Sequence, residues 1–253
     1  KMYLICDIGN TETKICLFND KKKLLKKKVF DTYDFKKTNL SEKFKFLNAY
    51  RKKIDKTMFS SVVPNVFKNI KRTIKKKIRV EIKELKQLSL KKILKIEVNT
   101  RQVGSDRLAN AISAINNKDN FIILDFGTAT TFDVVLKNKY KGGIIAPGVN
   151  LSLKTLVEKA KLIPNTKLTK IKNIIGKNTQ NAVRSGFYWG YQGLIENMIN
   201  LIEKKYKKKF KIIFTGGLSH LFKDTIKKKI KIDRDLTIKG LLRLVDLPDR
   251  III

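Results

Sequence analysis

The feature that most constrains the fold of this 253-residue chain is an internal repeat. One apolar run ends at the tract Asp7-Ile8-Gly9-Asn10-Thr11, and a later one ends at Asp125-Phe126-Gly127-Thr128-Ala129. Both tracts share Asp-x-Gly followed by small polar residues, and in both a further apolar run follows. A repeat at nearly half the chain length predicts two related halves, 1–117 and 118–253, that face each other across a cleft.

Apolar periodicity along the chain predicts alternating strands and helices. Two apolar runs around Gly9-Asn10 predict a β-hairpin. We predict strands over residues 2–8, 14–18, 59–63, 121–124, 131–136, 140–145 and 211–214, and helices over 66–77, 106–115, 151–160 and 179–203. This alternation is typical of an α/β protein in which helices cover a mixed sheet.

The formal net charge of +35 comes from lysines spread over the whole chain. Frequent Lys, Ile and Asn, which have A/T-rich codons, point to genome composition as the cause. Since no element combines clustered arginines with interleaved aromatic residues, we expect no specific nucleic-acid partner. No apolar run approaches the about 20 residues that a membrane-spanning helix needs, so we expect no membrane partner either.

The cysteine and histidine content excludes two further classes of protein. Two cysteines, Cys6 and Cys16, are too few for a disulfide scaffold, and a single histidine leaves no zinc constellation. The first residues lack a signal-peptide pattern. We therefore expect a reducing, cytoplasmic compartment.

Glycines fall at the ends of the predicted strands. They occur at Gly9, Gly104, Gly127, Gly142-Gly143, Gly148 and Gly216-Gly217. Backbone N–H groups exposed at such turns can hold phosphate oxygens. Because neither a Walker P-loop nor a GxGxxG fingerprint is present, a nucleotide site in this chain would use hairpin turns.

Acidic residues are scarce, yet four of them lie within the glycine clusters: Asp7, Asp106, Asp125 and Asp133. Any one alone is explained by capping a turn or a helix. Together, beside phosphate-type turns, they favour a metal-assisted phosphoryl-transfer site. Within Gly104-Ser105-Asp106-Arg107, Asp106 is either a helix cap or a base, and Arg107 either a surface charge or an anion clamp.

These motifs together resemble the type III pantothenate kinases, a family in the actin, hexokinase and Hsp70-like ATPase superfamily. The matching stretches are DIGNTETK at 7–14, GSDRLANA at 104–111, DFGTATTFD at 125–133, GGIIAPGV at 142–149, KNTQNAVRSG at 177–186 and FTGG at 214–217. They occur in the family order and span most of the chain. The resemblance implies two ribonuclease-H-like halves around a nucleotide cleft.

The resemblance also implies a reaction, the ATP-dependent phosphorylation of pantothenate to 4′-phosphopantothenate, which opens coenzyme A biosynthesis. The residues it assigns to ATP are Asp7, Ile8, Gly9, Asn10, Thr11, Glu12, Thr13, Lys14 and Thr128. Those it assigns to pantothenate are Gly104, Ser105, Asp106, Arg107 and Thr179, with Asp106 as the general base.

The cofactors implied by the same resemblance are Mg²⁺, which would bridge phosphate oxygens near Asp7, and a monovalent cation, K⁺ or NH₄⁺, at Asp125. Family members are homodimers, so a second copy of the chain is an expected partner.

The chain departs from the family pattern at two positions near the GSDR turn. Glu97 and Thr100 stand where many members carry a tyrosine and a proline. Two other functions are weighed beside the kinase: a non-catalytic transcriptional regulator of the Bvg accessory factor type, and another sugar or polyol kinase. Retention of Asp106 and both phosphate turns favours catalysis, and the combination of DIGNT with GSDR favours the pantothenate branch.

Overall fold

The structure, a computed structural model, describes residues 1–36, 40–224 and 226–247 and divides into two compact units. The first unit contains the described residues of Lys1–Ala114 and of 235–247, and the second contains those of Ile115–Arg234. Each unit combines one sheet with flanking helices, which confirms the predicted α/β class. In the described ranges no helix has the length and apolarity needed to cross a bilayer.

The sheet of the first unit has four strands in the order β3-β2-β1-β4. Their bounds are β1 Met2–Ile8, β2 Glu12–Asn19, β3 Leu24–Asp31 and β4 Ile54–Ser61. Strands β1 and β2 form the predicted antiparallel hairpin, with Asp7 opposite Lys14. Strand β4 runs parallel to β1, which brings Ser60 beside Asp7.

Three helices and several short elements complete the first unit. They are α1 Pro64–Lys77, α2 Ser105–Ala114 and α5 Leu236–Leu244, the short strand β5 Lys95–Ile96, and 3₁₀ turns at Thr32–Lys36, Glu42–Leu47 and Leu85–Gln87. Helix α1 buries Val66, Ile70 and Ile74, which recur every fourth residue and so share one face. This face packs in one core cluster with Leu4 and Ile8 of β1.

The second unit repeats the strand arrangement of the first. Its elements are β6 Asn120–Phe126, β7 Ala129–Leu136, β8 Lys139–Pro147, α3 Val149–Lys159, α4 Thr179–Tyr206, β9 Lys211–Gly216 and β10 Ile230–Ile232. The strands lie in the order β10-β9-β6-β7-β8. Strands β6, β7 and β8 are antiparallel neighbours, and β9 runs parallel to β6. Order and direction of β8-β7-β6-β9 therefore match β3-β2-β1-β4, as the two Asp-x-Gly tracts predicted.

The compact units differ from the predicted halves 1–117 and 118–253 in one main respect: the final segment belongs to the first unit and not to the second. From Asp235 the chain packs with the first unit, where α5 lies against α2. Thr237 Oγ1 donates to Asn110 Oδ1 over 2.8 Å, and Lys27 Nζ donates to Asp235 Oδ1 over 2.5 Å. The repeat alone carries no information about this return, because α5 lies outside the repeated tracts.

The contact between α5 and α2 depends on a glycine. A Cβ atom at Gly240 would lie 1.9 Å from the carbonyl oxygen of Ala109, so only glycine allows the two helices to approach this closely. We expect Gly240→Ala to lower the free energy of unfolding by about 1–3 kcal/mol, since α5 must move away from α2. Denaturant unfolding measures the change.

Gly193→Ala is the matched control, because Gly193 lies in α4 with open space around it. There alanine should raise stability by about 0.5–1 kcal/mol through its better helix propensity. Equal effects of the two substitutions would contradict the packing argument.

Candidate active site

The first Asp-x-Gly turn is closed by backbone hydrogen bonds and held by one threonine. Gly9 N donates to Glu12 O over 3.0 Å, and a Cβ atom at Gly9 would lie 3.0 Å from the same oxygen. The Thr32 hydroxyl donates to Gly9 O over 2.8 Å, and Thr32 N donates to Thr11 O over 2.8 Å. Thr32 Oγ1 also lies 2.9 Å from Thr13 Oγ1. The turn is therefore rigid.

The eight residues of this turn that were assigned to ATP divide into three groups by burial. Ile8 and Thr13 are fully buried, so only their backbone can reach a ligand. Asp7 and Lys14 are half-buried opposite each other on β1 and β2. Gly9 is half-buried, whereas Asn10, Thr11 and Glu12 are exposed. The accessible side chains of the turn thus include the carboxylates of Asp7 and Glu12 and the ammonium group of Lys14, charged groups that a phosphate chain and its counter-ion could use.

The second Asp-x-Gly turn has a similar closure and packs against a glycine. Gly127 N donates to Ala129 O over 3.1 Å, and Thr128 is exposed at the tip. A Cβ atom at Gly148 would lie 2.0 Å from Thr128 O. Position 148, where the chain passes the turn just before α3, must therefore be glycine.

Asp125 ends β6 beside a second close glycine contact. A Cβ atom at Gly216 would lie 2.6 Å from Asp125 Oδ1, and Gly216 has φ = +84°, which favours glycine. Gly217 N donates to Phe126 O over 3.2 Å. Asp125 is thus half-buried beside Gly216, and carboxylate oxygens are among the ligands that hard cations prefer.

Asp133, the fourth acid of the glycine clusters, lies in the interior instead. It is fully buried, and its Oδ1 accepts a hydrogen bond of 2.6 Å from the hydroxyl of buried Tyr140. The structure separates Asp133 from the exposed turn and gives it a role in the packing of the second unit.

The GSDR turn begins α2 and presents Asp106. Arg107 N donates to Asp106 Oδ1 over 2.8 Å, and a Cβ atom at Gly104 would lie 2.3 Å from that oxygen. Glycine at position 104 is therefore needed for the carboxylate to fold back over the start of the helix.

Ser105, although predicted to bind substrate, points its side chain inward. Its hydroxyl is fully buried, 3.0 Å from Ser60 Oγ, accepts from Ser61 N over 2.9 Å and donates to Ser61 O over 2.9 Å. Any contact of Ser105 with substrate would have to use its backbone.

Burial raises the pKa of Asp106 above the usual range of an aspartate. The N–H and the positive charge of Arg107 oppose this effect, as does the charge of Lys86, and each lowers the pKa. A desolvated carboxylate that is held by one amide and two cations fits the requirements of a general base at neutral pH.

Thr179 opens α4 and is exposed. Asn178 caps the helix by accepting from Asn181 N over 2.9 Å, and a Cβ atom at Gly176 would lie 2.2 Å from Ala182 N. The Thr179 hydroxyl therefore lies at a well-fixed helix start, where polar ligands are favoured.

Glu97 and Thr100, the two departures from the family pattern, are exposed. A carboxylate oxygen of Glu97 lies 3.8 Å from Lys95 Nζ, so a neighbouring ammonium group offsets its charge.

The described ranges contain no group of three or more His, Cys, Asp or Glu side chains that could hold a metal ion by themselves. Mg²⁺ in phosphoryl-transfer sites is usually held by one or two carboxylates together with substrate phosphates. The carboxylate of Asp7 beside the first turn fits that donor set, and Glu12 is a second carboxylate in the same turn.

Three residues that support the site were not identified from the sequence. Thr32 holds the first turn, and Ser60 and Ser61 receive Ser105. Their only sequence signal is a small hydroxyl residue at a strand end, which is also common in ordinary loops.

Comparison with known proteins gives a consistent family. The family model described as type III pantothenate kinase matches residues 3–201. A type III pantothenate kinase of Pelagibacter ubique is 55% identical over 246 residues, which cover 97% of this chain and 99% of the relative.

Two solved structures share the fold. A Campylobacter jejuni protein assigned to the Baf family of transcriptional activators has a TM-score of 0.62 at 19% identity over 96% of each chain. An activator of 2-hydroxyisocaproyl-CoA dehydratase from Clostridium difficile, solved with bound ADPNP, has a TM-score of 0.55 at 10% identity over 97% of this chain and 94% of its own. Similarity at these identities concerns the fold alone, and it agrees with the predicted actin-like ATPase architecture.

Proposed function

The chain belongs to the type III pantothenate kinase family, and we propose that Asp106 is the general base with which it transfers a phosphoryl group from ATP to pantothenate. The observation that carries this assignment is the half-buried carboxylate of Asp106 at the start of α2, with Arg107 beside it. The product, 4′-phosphopantothenate, enters coenzyme A biosynthesis.

The proposed chemistry at Asp106 is a proton transfer coupled to substitution at phosphorus. The primary hydroxyl of pantothenate gives its proton to the Asp106 carboxylate, and its oxygen forms a bond to the γ-phosphorus of ATP. The bond between that phosphorus and the β,γ-bridging oxygen breaks, and ADP leaves with the electron pair. Arg107, whose positive charge acts on Asp106, helps to orient the anionic acceptor.

We assign residues 7–14 to the phosphate groups of ATP, and Thr128 is assigned to ATP on the resemblance to the family. Catalysis of phosphoryl transfer relies on positioning and charge neutralisation, which rigid turns with exposed N–H groups provide. Mg²⁺, when bound, would neutralise charge that develops on the phosphate oxygens, and Asp7 is the residue that would hold it. The monovalent cation, K⁺ or NH₄⁺, is assigned to Asp125, and pantothenate also to Thr179.

The remaining assignments concern partners and compartment. We propose a homodimer, on the resemblance to the family, and a reducing, cytoplasmic compartment, for which the two buried free cysteines are the support. The Bvg-type regulator is not favoured, because the relative at 55% identity is a kinase and the Baf-family similarity concerns the fold alone.

Asp106→Asn should preserve the fold and ATP binding but lower kcat by about 10²- to 10⁴-fold, because the amide cannot take a proton. The assay follows ATP consumption with pantothenate. Since burial raises the pKa of Asp106, the wild-type kcat/KM should fall with decreasing pH at a pH above the usual range of an aspartate. Near-normal turnover of folded Asp106→Asn would show that another group is the base.

Asp125→Asn should weaken activation by potassium, because the amide removes the charge that attracts the cation. Turnover is measured against potassium concentration at constant ionic strength. Asp224→Asn, at an exposed carboxylate paired with Lys170, serves as the control and should leave the curve unchanged. An unaltered curve for Asp125→Asn would move the cation site elsewhere.

Duplex DNA should bind this chain weakly and without sequence preference, despite the +35 charge. Attraction through counter-ion release should fade steeply as salt approaches physiological strength, where the Debye length is about 8 Å. A salt titration with genomic fragments and random competitor tests this. Retention of one defined fragment against excess competitor would contradict it and favour the regulator.

A further inference from the structure

The second unit contains a cavity of about 600 Å³ that the proposed mechanism does not use. It lies between the C-terminal part of α4 and the starts of the neighbouring parallel strands β9 and β10, and its lining consists of Glu203 and the segments 209–212 and 228–231. Small-molecule sites typically have volumes of about 300–1,000 Å³. The length of β9, about 16 Å for its five steps, separates the cavity from Gly216 and the second Asp-x-Gly turn.

One wall of the cavity is apolar. Ile212 of β9 is buried, and Ile230 of β10, its partner in the register, packs against the same core cluster. Phe210 is half-buried, with its ring centroid 6.2 Å from that of Tyr206 in α4. An apolar group of a ligand would lose contact with water against this wall, which favours its binding.

Positive charge predominates in the rest of the lining, which has five lysines and one carboxylate. The carboxylate of Glu203 is already paired, because Lys228 Nζ donates to its Oε2 over 2.6 Å. Lys211 Nζ likewise donates to Asp119 Oδ2 over 2.5 Å. Among the described lining residues, no acidic side chain is left to neutralise the other three lysines.

Those three lysines are Lys209, Lys229 and Lys231, and all of them are exposed. In the part of the chain that the structure describes, none of them forms an ion pair. Lys209 lies just before β9 and Lys229 just before β10, so the parallel course of the two strands brings both lysines to the same edge of the sheet. Their long, flexible stems allow the ammonium groups to contact an anion at the mouth of the cavity.

We propose that this cavity binds a small molecule in which an apolar body carries a terminal phosphate group. The body lies against Phe210, Ile212 and Ile230, and the phosphate group lies at the mouth, near Lys209 and Lys229. Phosphate is favoured over carboxylate because a phosphate monoester carries about 1.5–2 negative charges at pH 7, which complement several ammonium groups better than a single charge does. A cavity of this volume favours a free small molecule over a bilayer, which presents its head groups on a plane.

The probe is decyl phosphate, used below its micelle concentration, and isothermal titration calorimetry with the full chain at physiological salt measures its Kd. We expect saturable binding. Inorganic phosphate lacks the apolar body, decanol lacks the charge and decanoate carries only one charge, so each should bind at least about threefold more weakly. Binding of any of the three that equals that of decyl phosphate would overturn the assignment.

A pair of matched variants tests the location of the site. Lys209→Gln/Lys229→Gln removes two positive charges at the mouth, whereas Lys75→Gln/Lys76→Gln removes two exposed positive charges from the end of α1 and gives the same net charge. We expect the Kd for decyl phosphate to rise about three- to tenfold in the first variant and to stay within about 1.5-fold of the wild type in the second. Equal Kd values for the two variants would contradict the proposal. Denaturant unfolding checks that both are folded.

Two further measurements separate the cavity from other sites for an anion. Saturating ATP with Mg²⁺ should leave the Kd for decyl phosphate unchanged, because the cavity and the second turn lie at opposite ends of β9. Displacement of the probe by ATP would place it at the turns and reject the cavity. Sedimentation with phosphatidylglycerol vesicles should show equal binding of the two double variants. A loss confined to Lys209→Gln/Lys229→Gln, without saturable binding of decyl phosphate, would assign these lysines to a membrane surface instead.

Discussion

The hydrogen bonds of the Ser105 hydroxyl hold the first turn of α2 against the end of β4, and the position of Asp106 in the first unit depends on them. This one oxygen accepts from Ser61 N and donates to Ser61 O, both over 2.9 Å, in a fully buried position. Loss of the hydroxyl would leave buried backbone groups unpaired, at a cost of about 1–3 kcal/mol for each group. The helix start, and with it Asp106, is therefore fixed by backbone pairing of the strand.

A related constraint operates in the second unit, where close backbone contacts replace the serine. Gly148 crosses the turn at Thr128 at a distance that excludes any side chain, and Gly216 does the same beside Asp125. In both units a carboxylate lies near the end of a strand, and a glycine, which has no Cβ atom, lies close to it. These close contacts within the chain explain why positions 148 and 216 are glycines.

Continuous or regularly spaced apolar residues made most of the fold predictable from the sequence. Strand β6 buries four consecutive residues, and α1 buries every fourth residue, so both patterns stand out locally. Strand β3 was missed because it is an edge strand with lysines on both faces, and its burial follows no period of two. Helix α5 was missed because its nine residues include Gly240. This glycine is required by the contact with the distant helix α2, which the local sequence does not show.

The candidate site was predictable where a motif carries it and not where support comes from distant residues. Asp7, Asp106 and Asp125 lie in local glycine-rich tracts. Thr32 and Ser60 act on residues 23 and 45 positions away, so no local pattern marks them. The motif also gave no sign that Thr13 and Ser105 turn their hydroxyls inward, because burial depends on how the strands pair.

The return of the chain to the first unit has a consequence for folding during synthesis. Residues 115–234 form the second unit without a break, so this unit has all its parts before α5 has been synthesised. The first unit, although most of it is made first, lacks α5 until Leu236–Leu244 has been synthesised, and until then the α2 face that includes Ala109 and Asn110 stays uncovered. Domains usually fold in the order of synthesis, from the N-terminus. In this chain we expect the reverse order, with the unit that carries Asp106 completed last.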